Sequence, residues 1–410
     1  MTVGFYYLAV LLALAIMLPF RVRAGASLAL ADVVAIPAAA CLLVEALRSP
    51  RVRARLHELK DVNPAVVAYM LWTLFASIIG LVRSSDVLKI EHDLLPGFTL
   101  YLLIGLTIDR PQRMRALVTA CCIGVACHVV LGLVQLRLGG PFLTPLSPGI
   151  EGKLDVSGEF VTNNVVGLFP HPNGLAMFLL PPALVGIALL VGLRDRARWI
   201  LGIAVAVVLY VLVQTQGKGA LAYLCVGIAL LAIPARFRRT RVWLAVLLPV
   251  LAIVGILWYS VARFLGGDAA FGTLITRLEL WNHAIDVIQN DTFTKVIGNG
   301  YPLFGTTVVG TFEYPNAHNA WLNNVLSFGL PGLALYLAAF VMGIRLALRK
   351  LPEAIGPARA GLAGCMAALA ALFGEYFFEP ADRGEIYAGQ VFLLLALVAV
   401  LPRALTPART

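Results

Sequence analysis

The chain has 410 residues, of which 60% are hydrophobic and only 13% are charged. Soluble globular proteins carry about 25% charged residues, so this composition excludes a set of soluble domains and predicts a protein that spans a lipid bilayer. The net charge of +10 does not indicate nucleic-acid binding, because the basic residues form short clusters between apolar stretches. All six cysteines fall inside apolar stretches, so neither a disulfide framework nor a zinc site is expected.

Apolar stretches long enough to cross a bilayer follow one another along the whole sequence, since a spanning helix needs about 20 such residues. We predict twelve, at 4–20, 27–46, 64–82, 94–108, 114–136, 173–192, 198–213, 218–234, 242–262, 329–348, 358–378 and 386–402. The first is not expected to be a cleaved signal peptide, because no basic residue precedes it and further spans follow. The prediction is an all-α, multi-pass membrane protein with three parts. Transmembrane helices 1 to 9 occupy residues 1–262, one large outer loop with short amphipathic helices occupies 263–328, and helices 10 to 12 occupy 329–410.

The charges of the connecting segments predict which side of the membrane they face, because Lys and Arg accumulate in short cytoplasmic loops. With the N-terminus inside, the inner segments hold 21 of the 32 basic residues and 6 of the 22 acidic ones, a net charge of +15 inside and −5 outside. Arg21 and Arg23 alone favour the reverse orientation. The two long connections, 137–172 and 263–328, are therefore expected outside, in the periplasm if the cell has an outer membrane.

Two polar motifs lie at predicted outer ends of spans that precede the large loop. His171-Pro172-Asn173-Gly174 opens the sixth span, with Asn173 as the expected N-cap. Gly217-Lys218-Gly219 separates the seventh and eighth spans. Backbone N–H groups and an ammonium at a helix N-terminus suit a phosphate group. The same turn also suits a tight hairpin whose lysine extends to the membrane surface.

The first half of the large loop predicts an amphipathic helix lying on the membrane surface. One face carries apolar side chains at helical spacing and the other carries polar side chains, namely Leu274, Leu278, Trp281, Ile285 and Ile288 against Glu279, His283, Asp286 and Asn290. Arg277 stands near the start of this helix. It is either a ligand-binding cation or a side chain that extends to lipid headgroups.

The second half of the loop carries a candidate base. Pro315-Asn316 predicts a helix N-terminus, with a helix from Ala317 to about Phe328. His318 would then lie in the first turn, where the helix dipole disfavours the imidazolium form and leaves a neutral ring able to accept a proton. A structural role is the alternative for a lone histidine. With Lys218 and Arg277, the outer face would hold two cations suited to a diphosphate and one base suited to a hydroxyl.

Ionisable residues in or near the spans are further candidates, because a charged group inside a bilayer is costly. They are Asp32, Glu45, His128, Glu375 and Glu379. Glu375 and Glu379 stand four residues apart near the outer end of the eleventh span. We expect them to line a cavity or to pair with Arg383.

At these residues the chain resembles the O-antigen ligase family, the integral membrane enzymes that join surface polysaccharide to lipid A–core. The resemblance covers the whole twelve-span layout. It is most specific in Thr-Arg-Leu-x-x-Trp at 276–281, Gly-x-Gly-Tyr at 298–301 and Pro-Asn-Ala-His-Asn-x-Trp-Leu at 315–322. It implies a helical fold of the GT-C kind, with a large periplasmic loop after the ninth span.

The resemblance also implies an activity. O-antigen polysaccharide would pass from undecaprenyl diphosphate to a sugar hydroxyl of lipid A–core at the periplasmic face of the bacterial inner membrane, with inversion and without metal, nucleotide or cofactor. His318 is the implied base and Arg277 an implied diphosphate partner. Lys218 stands where the family usually shows Ser-Arg-Gly, and lysine keeps the charge but not the bidentate fork. We expect supporting roles for Asn319, His171, Asn173, Glu313 and Trp281.

Related and unrelated functions stay open. An O-antigen polymerase would use the same donor with a lipid-linked glycan as acceptor. Some polymerases carry paired Arg-x10-Gly motifs, whereas here Arg277 leads to Ile288 and Arg263 to Leu274. A protein O-oligosaccharyltransferase of the same superfamily is a second alternative. A secondary transporter would predict inverted repeats and a mid-membrane site, whereas the polar residues here cluster at one outer face.

Overall fold

A computed structural model of the chain describes residues 2–18, 21–24, 26–80, 87–138, 165–169, 171–193, 196–233, 238–265, 272–298, 307–309, 312–314, 317–379 and 385–405. Within these ranges the chain forms fifteen helices and two small antiparallel hairpins. The helices are α1 (Thr2–Met17), α2 (Leu30–Arg48), α3 (Pro50–Val62), α4 (Pro64–Gly80), α5 (Val87–Thr107), α6 (Pro111–Leu138), α7 (Pro172–Gly192), α8 (Ala197–Gln214), α9 (Lys218–Ala232), α10 (Arg238–Leu265), α11 (Gly272–Asn290), α12 (Thr292–Val296), α13 (Ala320–Lys350), α14 (Gly356–Glu375) and α15 (Glu385–Leu405). The strands are β1 (Arg21–Ala24), β2 (Ala26–Ala29), β3 (Thr307–Val309) and β4 (Phe312–Tyr314).

The helices confirm the all-α, multi-pass membrane class. Each of the twelve predicted apolar stretches coincides with a helix. In the described part of the chain, seven helices are long and apolar enough to cross a membrane, or eight if the bent pair α3 and α4 forms one span. Four shorter apolar helices, Gly4–Met17, Leu94–Thr107, Lys218–Ala232 and Leu247–Arg263, account for the other predicted stretches. The count of twelve crossings and the side that the large loop faces stay predictions.

Three elements were not predicted from the sequence. The basic segment after α2 forms the separate helix α3, because Ser49 caps it and Pro50 starts it. Because the β1–β2 hairpin precedes it, α2 begins at Leu30. A 2.8 Å hydrogen bond from the Ala29 N–H to the Asp32 Oδ2 caps the first turn of α2. The large loop contains the β3–β4 hairpin besides the helices α11 and α12. Hydropathy does not predict short strands of this kind, since they bury little apolar surface.

His128, one of the ionisable candidates in the spans, has structural contacts. The buried His128 ring lies 4.9 Å from Phe169 and 4.5 Å from Phe178, with its Nε2 2.9 Å from the Met17 carbonyl oxygen. About two turns further along α6, Gln135 hydrogen-bonds to Gly167 through both ends of its amide. These contacts fix the segment 165–169 that leads into α7.

The helix α13 breaks at Gly329, whose φ of 70° lies in the left-handed region. The Trp72 indole donates a 2.7 Å hydrogen bond to the Phe328 carbonyl at the break. A Cβ at Gly329 would overlap the Val296 carbonyl of α12, so only glycine fits there. The predicted boundary between a helix ending near Phe328 and a second helix from residue 329 coincides with this break. The first arm, 320–328, presents its N-terminus to the end of α14.

The helix α14 lies at the centre of the bundle, in contact with α7, α9, α10, α13 and α15. Almost all of its residues from Ala358 to Glu375 are buried. It is rich in Gly and Ala, which let neighbouring helices in a membrane approach closely. Because α7, α9 and the first arm of α13 begin near its C-terminal end, the packing of α14 decides where those three helix starts meet.

Candidate active site

The residues 375–379 form the last turn of α14 and the following bend, called here the α14 turn. The Phe378 and Glu379 N–H groups both donate to the Glu375 carbonyl, at 2.9 and 3.2 Å. Four elements that carry candidate residues contact this turn: the start of α7, the start of α9, the loop helix α11 and the start of α13. The site is therefore assembled from helix ends that are distant in sequence.

Arg277 of α11 reaches the α14 turn. Its Nη2 lies 2.9 Å from the Glu379 Oε1, and the two side chains are 21% and 12% exposed. Arg277 shares the packed face of α11 with Leu280, Trp281 and Ala284, all three of which are buried. The predicted apolar stripe is wrong at Ile285, which is exposed, because α11 packs on protein through a face rotated toward Arg277. Arg277 thus faces the bundle in an ion pair.

Trp281 anchors α11 one turn beyond Arg277. Its ring contacts Phe377 edge-on, with centroids 5.0 Å apart, and lies 6.3 Å from Phe378. The indole is 7% exposed, and its Nε1 has no hydrogen-bond partner among the described residues. This packing holds the loop helix against the α14 turn, and the supporting role expected for Trp281 stays a prediction.

His318 lies just before the first arm of α13. The N-cap is Asn319, whose Oδ1 accepts a 3.0 Å hydrogen bond from the Leu322 N–H. The predicted helix start at Ala317, capped by Asn316, is therefore three residues too early. The earlier start is prevented because the Ala317 N–H is held by the Asn323 Oδ1 at 3.1 Å and His318 has a φ of 47°.

The shifted start changes the environment of the His318 ring. The histidine precedes the N-cap instead of occupying the first turn, so the argument from the helix dipole no longer sets its protonation state. Left-handed backbone is rare for residues other than glycine and persists where the surroundings enforce it, often at functional sites. Here the surroundings are the α14 turn, because the Ala320 N–H donates to the Tyr376 and Glu379 carbonyls at 2.9 and 3.1 Å.

The start of α7 reaches the same turn. His171, not Asn173 as predicted, is the N-cap, and its Nδ1 accepts a 3.2 Å hydrogen bond from the Asn173 N–H. The histidine can cap because Pro172 occupies the first helical position, which leaves the Asn173 N–H as the first donor to satisfy. The freed Asn173 side chain donates a 2.7 Å hydrogen bond to the Glu379 Oε1.

The Gly-Lys-Gly segment places Lys218 at the first position of α9, with an exposed side chain. The turn before it has Gln216 at a φ of 56° and a 3.2 Å hydrogen bond from the Gly217 N–H to the Thr215 Oγ1. Gly219 lies directly against the Glu375 carboxyl group, since a Cβ there would come within 2.6 Å of Oε2. Glu375 is 2% exposed, and within the described ranges its Oε2 has no hydrogen-bond partner.

Some predicted positions are outside what the structure describes. Residues 299–306, 315–316 and 380–384 are not described, so the predicted turn at 298–301 is seen only at Gly298 and the expected partner Arg383 is not seen. Glu313 pairs with Val308 in the β3–β4 hairpin, and its side chain is not described. Across the described ranges, no three His, Cys, Asp or Glu side chains are grouped so that they could hold a metal ion.

Glu379 is the site residue whose contacts the sequence did not predict. It contacts Arg277 and Asn173, and the expected pairing with Arg383 lies outside the described residues. The signal in the sequence was its spacing of four from Glu375 at the end of an apolar span. That spacing indicates a shared helix face but cannot name partners that lie 102 and 206 residues away.

These features define a multi-pass helical membrane protein with basic, acidic and histidine residues gathered at one end of the bundle. Residues 203–337 match the family model described as O-antigen ligase, which confirms the resemblance to that family. The matched residues include Lys218, Arg277, Trp281 and His318, whereas Asn173 and the α14 turn lie outside them. The match indicates a membrane enzyme of the O-antigen ligase and polymerase type. No curated protein matches the chain.

Proposed function

We propose that the chain is an O-antigen ligase, which transfers O-antigen polysaccharide from undecaprenyl diphosphate to a sugar hydroxyl of lipid A–core. The observation that carries this proposal is the meeting of four elements at the α14 turn. Asn173 and Arg277 bond to Glu379 through their side chains, the segment with His318 bonds to it through Ala320, and Gly219, next to Lys218, packs on Glu375. A base and two cations at one end of the bundle suit this reaction.

The donor diphosphate would lie between Arg277 and the start of α9. Only Nη2 of Arg277 is used in its ion pair with Glu379, and a guanidinium has five N–H donors. The first N–H groups of α9 are not used within the helix, so they add positive potential beside Lys218. Both cations would stabilise the charge that grows on undecaprenyl diphosphate as it departs.

The acceptor hydroxyl would be activated by His318. A ring nitrogen that carries no proton accepts the hydroxyl proton while the oxygen attacks the anomeric carbon. Attack from the face opposite the diphosphate inverts that carbon. Undecaprenyl diphosphate is a good leaving group, so the departing oxygen needs stabilisation by cations and no proton donor.

The site would face the periplasm from the bacterial inner membrane. The starts of α7, α9 and α13 and the end of α14 meet at one end of the bundle, and the excess of basic residues in the other loops favours an outer position for that end. At the other end, the Lys350–Glu353 pair lies between α13 and α14, in a segment expected inside. Both lipid-linked substrates would reach the site from the outer leaflet.

Reconstitution tests the proposal directly. Purified protein in nanodiscs is supplied with undecaprenyl diphosphate-linked O-antigen and lipid A–core, and the products are separated by gel electrophoresis. Transfer to lipid A–core, lost in His318→Ala, is the expected result. Extension of the lipid-linked glycan in the absence of lipid A–core would show a polymerase instead, and no turnover of the donor with either acceptor would overturn the proposal.

A further inference from the structure

Glu379 joins three segments of the candidate site. Its Oε1 accepts hydrogen bonds from the Arg277 Nη2 at 2.9 Å and from the Asn173 Nδ2 at 2.7 Å. Its backbone carbonyl accepts a third, at 3.1 Å, from the Ala320 N–H, two residues after His318. One residue therefore contacts the start of α7, the loop helix α11 and the start of α13.

The ion pair has the properties of a positioning contact. Both side chains are largely buried, so the charge-assisted hydrogen bond is less screened than one at a protein surface. Among the described residues, Glu379 is the one hydrogen-bond partner of the Arg277 guanidinium. Without Glu379 the guanidinium would keep its charge but lose the contact that fixes its direction.

The charge of Glu379 argues against direct contact with the diphosphate. A carboxylate would repel a bound diphosphate. The Glu379 carboxylate next to Arg277 therefore does not attract the donor substrate and must have another role. A single carboxylate oxygen accepts from both Arg277 and Asn173, so this contact occupies only the Nη2 group of the guanidinium. This geometry is suited to orienting a cation.

We propose that Glu379 is a positioning residue, whose carboxylate aims the Arg277 guanidinium at the donor diphosphate and holds the loop helix α11 against the α14 turn. This inference rests on the proposed function. It assigns the site a component that lies outside the residues matched to the O-antigen ligase family.

Three substitutions distinguish two roles for Glu379: positioning of the Arg277 guanidinium and electrostatic repulsion of the diphosphate. In Glu379→Gln an amide oxygen can still accept from Arg277, so activity should fall but remain measurable. In Glu379→Ala the contact is lost, and turnover should fall by about 10²-fold, the cost of misplacing a reacting group by about 1 Å. Glu379→Asp should recover part of the loss. If Glu379 instead blocked the diphosphate, both Gln and Ala would bind undecaprenyl diphosphate more tightly and keep normal turnover, which would overturn the proposal.

A double-variant comparison excludes a merely structural role. If Glu379 acts through Arg277, adding Glu379→Ala to Arg277→Ala should lower turnover by no more than about twofold, because coupled residues are not additive. Full additivity of the two losses would refute the proposal. Thermal unfolding in detergent is followed for each variant. Asn173→Ala, which removes the other partner of the Oε1 and leaves the ion pair, should lose less activity than Glu379→Ala.

Glu353→Gln is the matched control, because it breaks a 3.0 Å ion pair with Lys350 at the opposite end of α14. It should keep wild-type turnover. Binding of undecaprenyl diphosphate, measured by itself, distinguishes a failure of the proposed function from a failure of the role assigned to Glu379. If the wild type does not bind it, the proposed function fails. If the wild type binds and transfers normally while Glu379→Ala is unchanged, only the role of Glu379 fails.

Discussion

Replacement of Gly219 by alanine tests whether the contact between α9 and the α14 turn sets the position of Lys218. A Cβ at residue 219 would lie 2.6 and 2.8 Å from the two carboxylate oxygens of Glu375, closer than such atoms can approach. Overpacking of this kind costs about 1–3 kcal/mol. The intrinsic gain of about 0.5–1 kcal/mol from replacing glycine in a helix offsets part of it. We expect a net loss of stability and displacement of either Glu375 or the start of α9.

The assay has two readouts and two matched variants. Gly219→Ala should lower both the unfolding midpoint in detergent and the rate of glycan transfer. Gly255→Ala of α10 adds the same methyl group where nothing lies within 4 Å, so it should lower neither. Gly219→Ala combined with Glu375→Ala should recover stability, because the clashing carboxylate is gone. Wild-type stability and turnover in Gly219→Ala would show that the carboxyl group moves freely and that this contact does not position Lys218.

Three further predictions concern the reacting groups and the topology. His318→Ala should slow transfer and leave binding of undecaprenyl diphosphate largely intact, whereas Arg277→Ala should weaken both, because the diphosphate is charged before and during transfer; equal loss of binding in the two would remove His318 from the base role. Lys218→Arg should keep most of the activity, and Lys218→Ala should lower the transfer rate by about 10²–10³-fold. Near-normal turnover of the alanine variant would show that the Gly-Lys-Gly segment is only a tight turn and does not bind the diphosphate. Gly310→Cys, at a position the structure does not describe, should react with a membrane-impermeant thiol reagent in intact spheroplasts; labelling only after lysis would reverse the orientation.

The helices were predictable because apolar residues in a bilayer must form hydrogen-bonded helices, whatever their packing partners. The break at Gly329 was also visible in the sequence. Helix starts were harder to predict. Asn316 and Asn319 are both residues that favour the N-cap position. The helix begins after Asn319 because the Ala320 N–H donates to backbone carbonyls of the α14 turn. Likewise, His171 caps α7 while Asn173 bonds to Glu379. These choices depend on contacts between residues that are far apart in the sequence, which local patterns do not contain.

The residues matched to the family and the turn that contacts them lie in different parts of the chain. Lys218, Arg277 and His318 come from three elements within 203–337, and in the proposed reaction each would supply one group. The α14 turn supplies fixed contacts for all three elements: a carboxyl against Gly219, an ion pair to Arg277 and backbone carbonyls for Ala320. A substitution at a reacting residue should therefore remove the group that it supplies, whereas a side-chain substitution in the α14 turn should displace a reacting group that is itself unchanged.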